Sequence, residues 1–172
     1  MTLKRTLAPA AVCCLMAGLS AALPASATEW MAWKGQDAAA PRAIYTQDTN
    51  EHGVMLTCQA NGDLSSAITL SPGSLPELLA KNAPYGRSAD ATISVGDEAS
   101  QQAKFRYVPA IDLVEIRSHA FAAKVFNAAV LGKPLNIDMK RETDIQADLP
   151  APDMTFKAFA KTCATLREQS GS

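Results

Sequence analysis

The sequence predicts an α+β domain dominated by antiparallel β-sheet, sandwich-like or strongly curved, with two or three short helices that include one at the C-terminus. Three observations lead there. Runs that alternate apolar and polar residues outnumber helically spaced ones, and a period of two is the mark of a strand with one buried face. Most links between these runs are too short for the crossovers that parallel strands need. Apolar residues recur at three- and four-residue spacing over 119–131 and 156–166, which supplies helices to cover the sheet.

Residues 1–27 stand apart from this pattern. Lys4 and Arg5 precede an uncharged run from Leu7 to Leu19, and Ala25-Ser26-Ala27 is a small-x-small sequence. This is the layout of a secretory signal peptide. The expected organisation is a leader cleaved after Ala27, one globular domain over 28–169 and a disordered tail over 170–172. The mature protein is then periplasmic or secreted. A lipoprotein anchored through Cys13 or Cys14 is the competing reading, but it needs cleavage within the apolar run.

Taken in order, Trp30-Met31-Ala32-Trp33-Lys34 reads as a short strand, followed by a loop through Pro41 and an extended run over Ala43–Gln47. Asp48 to Gly53 is a polar turn. Val54, Leu56 and Cys58 fall on one face of the next strand. Ala60-Asn61-Gly62-Asp63 carries the Asn-Gly signal of a tight hairpin, and Leu64–Leu70 returns with Leu64, Ser66, Ile68 and Leu70 on one side. Ser71-Pro72-Gly73 breaks the sheet. Ser74 and Glu77 have capping-box spacing, so a helix is expected from Leu75 to about Asn82, stopped by Pro84.

Tyr85 to Asp90 reads as loop. Strands are expected over Ala91–Val95, Ala103–Val108 and Ile111–Arg117, with Phe105 and Tyr107 on one face and Lys104 and Arg106 on the other. Ser118 caps a helix over His119–Leu131, which Gly132 and Pro134 end. Leu135–Met139 and Thr143–Leu149 form a strand pair. Asp153 then caps a helix whose inner positions are Phe156, Phe159, Ala160, Cys163 and Leu166.

Of the four cysteines, Cys58 and Cys163 remain after the leader. Both point inward from elements that need a neighbour, and an even count in an exported chain favours a disulfide between them; two separate buried thiols are the alternative.

The composition excludes several chemistries. Net charge is −1 over 172 residues, and Lys140-Arg141 is the only adjacent basic pair after the leader, so no nucleic-acid surface emerges. No second apolar run reaches the length of a membrane helix. With only His52 and His119 as imidazoles, no metal-ligand spacing arises, and neither cofactor nor metal is called for. GxSxG and SxxK are both missing. Asp97-Glu98 and Asp112 with Glu115 are the paired carboxylates; as solvated turn and strand residues they assign no catalytic residue.

Three surface features remain. Trp30 and Trp33 form an aromatic platform or else divide between core and surface, since strand spacing sends them to opposite faces. Tyr85-Gly86-Arg87 joins an aromatic ring to a guanidinium in a loop, a composition found at interfaces. The alanine-rich helix over 119–131 has small residues that permit close packing on the sheet or on a partner.

The run from Ala122 through Phe126, Gly132 and Pro134 to Ile137, the following strand pair and Phe156-Lys157-Ala158-Phe159-Ala160 resemble the invasion-associated locus B family of bacterial secreted proteins over residues 118–166. The resemblance implies an envelope protein without known catalysis and carries over no functional residue. The expectation from the sequence is therefore a non-enzymatic periplasmic or secreted protein that binds a protein or envelope partner. An inhibitor of a hydrolase is one alternative. A small hydrolase that gathers His52 or His119 with an acid and a serine is another.

Overall fold

A computed structural model describes residues 29–33, 43–47, 52–71, 86–140 and 143–171. Its strands are β1 (Met31–Ala32), β2 (Ala43–Gln47), β3 (Gly53–Cys58), β4 (Leu64–Thr69), β5 (Arg87–Val95), β6 (Gln101–Val108), β7 (Leu113–Ile116), β8 (Leu135–Asp138) and β9 (Asp144–Ala147). The helices are α1 (His119–Leu131) and α2 (Met154–Ser170), with a 3-10 turn at Pro109–Ile111. All nine strands join one antiparallel sheet in the order β1-β2-β3-β4-β7-β6-β5-β8-β9. The sheet is curled, which selects the curved form of the expected architecture over two packed sheets.

One face of the sheet holds the core. Ile44, Val54, Leu56, Ile68, Ile93, Phe105, Val114, Ile116, Leu135, Ile137 and Ile145 are each at most 2% exposed, and they occupy the alternate positions that the period of two marks out. Helix α1 lies across β3, β4, β5, β7 and β8. Its inner residues Ala122, Val125, Ala128 and Ala129 are fully buried; their small size lets the helix axis approach the strands closely. Gly132 ends α1 in the left-handed region (φ 61°), where a glycine has no Cβ to clash.

Helix α2 packs beside β2 and puts Phe156, Phe159 and Cys163 into the core. The Asp153 carboxylate does two jobs there: Oδ1 accepts the Phe156 N–H at 2.8 Å as a cap, and Oδ2 accepts the Trp30 N–H at 3.1 Å. The Trp30 indole N–H donates to the Pro150 carbonyl, and its ring packs 5.1 Å from that of Phe156. Trp30 is therefore core at 3% exposed, while Trp33 is 52% exposed and meets Tyr45 edge-on. The two tryptophans divide between core and surface as their spacing requires.

Several boundaries differ from the sequence expectation. Only Met31–Ala32 of the first strand pairs with β2. Arg87 lies in β5, opposite Tyr107, and not in a loop, because β6 is long enough to carry the pairing back to that residue. Ile111 and Asp112 fall outside β7: Pro109 opens a 3-10 turn that Asp112 closes at φ 44°, a conformation Asp tolerates better than most residues. Ser118 stands at the N-cap of α1 without a side-chain capping bond. Ser170 belongs to α2 and not to the tail, since its hydroxyl donates to the Asn61 carbonyl at 2.9 Å. The expected leader, the helix over 75–82 and Tyr85 lie outside the described residues.

Candidate functional site

The Asn-Gly turn between β3 and β4 is held by its own hydrogen bonds and by contacts with α2. Gln59 N–H donates to the Asp63 carbonyl, Gly62 N–H to the Gln59 carbonyl, and Asp63 N–H to the Asn61 side-chain oxygen. Gly62 adopts φ +82° and sits against the Arg167 backbone so closely that a Cβ would overlap it. At the base of the hairpin the structure joins Cys58 to Cys163 of α2 in a disulfide. The hairpin is thus stapled to α2 by a covalent bond, by a glycine contact one turn further along, and by Ser170.

Behind this hairpin the outward side chains of β3, β4 and β7 floor an open cleft of about 710 Å³. Thr57, Ser65, Ala67 and Glu115 lie on the floor, with Asn61, Asp63, Arg117 and His119 around it. The floor is small and polar because these positions alternate with the buried row that faces the helices. Gln59 Nε2 donates to Ser65 Oγ at 2.9 Å, whereas Ser66 points the other way and donates to the Met55 carbonyl.

Charge at the cleft centres on Glu115. Its Oε2 accepts from Arg106 Nη1 at 2.7 Å and from Arg117 Nε at 3.1 Å. Burial alone would raise the Glu115 carboxyl, but the Arg106 hydrogen bond and the Arg117 and Arg106 charges outweigh it and hold the group below the usual carboxylate range. The Glu115 side chain is 24% exposed and that of Arg117 71%, so Arg106, at 39%, is the better shielded partner. Of the three groups, Glu115 and Arg117 line the cleft, while Arg106 reaches Glu115 from β6.

His119 separates this cleft from a second, smaller pocket. Its Nδ1 accepts the Leu64 N–H at 2.9 Å and lies 3.7 Å from Asp63 Oδ1, while Nε2 faces Arg167 Nη2 at 3.1 Å. Asp63, His119 and Ser65 therefore line one cleft without the geometry of a nucleophile triad. A triad needs a serine hydroxyl at the imidazole nitrogen remote from the acid, and an arginine occupies that place. Asp97 and Glu98 sit in the β5–β6 turn, where Glu98 pairs with Lys124 at 3.1 Å. Asp112 and Glu115 are not brought together as a pair: the first closes a 3-10 turn, and the second is committed to its arginines. No group of three or more His, Cys, Asp or Glu suited to a metal occurs among the described residues.

Of the expected interface residues, Trp33 is exposed beside the apolar end of the same outer face, near Tyr45, Met55 and Leu113. Arg87 is half-buried on β5. The Arg106–Glu115–Arg117 cluster was not visible in the sequence. Alternation places Arg106 and Glu115 on outward faces, but only the pairing of β6 with β7 sets them opposite one another. Comparison with protein-family models, curated proteins and solved structures finds no match to this chain.

Proposed function

We propose that this chain is a non-enzymatic binding protein of the bacterial envelope, periplasmic or secreted, that docks a protein or envelope partner on the outward face of β3, β4 and β7. The observation that carries this reading is the open polar cleft beside a hairpin locked to α2. A surface held in one conformation loses little entropy when a partner orders on it. The lining favours a polar partner: hydrogen-bonding side chains cover the floor, and the exposed Arg117 guanidinium offers donors at the Glu115 end. A disulfide is at home in an oxidising compartment, and the basic, apolar and small-residue layout of residues 1–27 supports export. The resemblance of residues 118–166 to the invasion-associated locus B family supports the same setting.

Three measurements test the proposal. Mass spectrometry of the protein recovered from cells is expected to give a chain starting at Thr28; an intact leader refutes export. Affinity capture from envelope extract is then run with the mature protein and with Ala67→Trp, which fills the cleft floor. A partner retained by the wild type and lost by the variant is expected. Equal capture by both places binding elsewhere, and turnover of an ester or glycoside that disappears in His119→Ala overturns the non-enzymatic reading.

A further inference from the structure

Between α1 and α2 lies a pocket of about 260 Å³, separate from the sheet cleft. Its walls are Leu64, Ala123, Phe126, Ala160 and Cys163, and its mouth carries His119 and Arg167. The volume falls just under the ~300–1,000 Å³ of sites for drug-sized ligands, so any apolar tail it takes is short.

The mouth is made of two donors that face each other. Leu64 N–H donates to His119 Nδ1, so in the neutral ring the proton is assigned to Nε2. Arg167 Nη2 stands 3.1 Å from that nitrogen, and a guanidinium has donors only. Neither group satisfies the other. The remaining Arg167 contact is a long one, 3.4 Å to the Gly62 carbonyl, and no carboxylate lies within salt-bridge distance of its guanidinium among the described residues. Asp63, the nearby acid, lines the sheet cleft and not this pocket. An oxygen that accepts from both donors completes the mouth, and a negative one does so best.

We infer that this pocket is a binding site for a small carboxylate with a short apolar tail: the head is held between Arg167 and His119, and the tail lies between the helices against Phe126, Ala160 and Ala123. The site meets the proposed docking face at Leu64 and His119, but its ligand lies on the helix side, so small-molecule binding and partner capture are read independently.

Isothermal titration of the purified, oxidised protein with octanoate tests the assignment, with acetate and 1-octanol as tail-less and head-less controls. Saturable binding of octanoate is expected, with both controls weaker by about tenfold or more. Arg167→Met keeps the aliphatic stem over Gly62 and removes the charge; affinity is expected to fall by about tenfold or more. Ala164→Leu, at an exposed position on the pocket wall, fills the space while leaving both donors, and it is expected to abolish binding. Thermal melts of each variant confirm the fold. Absence of saturable octanoate binding by the wild type, equal binding by both variants, or acetate matching octanoate overturns the inference.

Discussion

Reducing the Cys58–Cys163 bond is the most direct way to measure what holds α2 to the sheet. The bond spans a sequence separation of 105. In the chain-entropy description, closing a loop of this length lowers the entropy of the unfolded chain enough to stabilise the fold by about 4.7 kcal/mol. That is a large share of the ~5–15 kcal/mol by which a domain is usually stable. For a domain of ~150–250 residues each kcal/mol moves the melting temperature by about 2–4 °C, so reduction is expected to lower it by roughly 10–20 °C. The assay is urea unfolding of the oxidised and reduced wild-type protein, which differ by little more than the bond itself. The midpoint should fall and the slope m should rise, because an uncrosslinked chain exposes more surface when unfolded. The reduced protein is expected to remain folded in water, since α2 keeps the Asp153 cap, the Trp30–Phe156 contact and the Gly62–Arg167 contact. Coincident curves for the two forms would refute the argument, as would an unchanged m with a midpoint shift worth less than about 1 kcal/mol.

Three further outcomes follow from named residues. Thr46 is 1% exposed and its hydroxyl has no hydrogen-bond partner among the described residues, so Thr46→Val, which keeps the shape, is expected to stabilise by about 1 kcal/mol in urea unfolding. Asp153→Ala removes both the α2 cap and the acceptor for Trp30 N–H; a loss of about 2–3 kcal/mol is expected, with a change in Trp30 fluorescence at an earlier denaturant concentration. The Glu115 carboxyl titrates lower in the folded than in the unfolded protein, so its contribution is fully present above the unfolded value of about 4.3 and fades as pH falls through the lower folded value. Wild type is therefore expected to lose stability relative to Glu115→Gln across that acidic window, and parallel pH curves for the two proteins would count against the arginine pairing.

What the sequence alone determined is mainly local. Strands β3, β4, β6 and β8, both helices, the Asn-Gly hairpin and the inward direction of Cys58 and Cys163 follow from periodicity, capping and turn residues. These signals act within a few positions and need no knowledge of neighbours. The departures from that pattern also have local causes with distant resolutions. Arg87 reads as loop because Arg87-Ser88-Ala89-Asp90 carries no apolar alternation of its own and becomes strand only by pairing with Lys104–Tyr107, and Asp112 reads as strand because alternation continues through a turn that Pro109 opens. Tertiary structure alone decided the two pockets. Arg106 meets Glu115 only because β7 inserts between β4 and β6, out of chain order, and Arg167 meets His119 only because α2 returns across the sheet to the hairpin. Strand order and helix docking depend on burying the whole apolar face at once, a condition summed over the molecule and not encoded in any one segment.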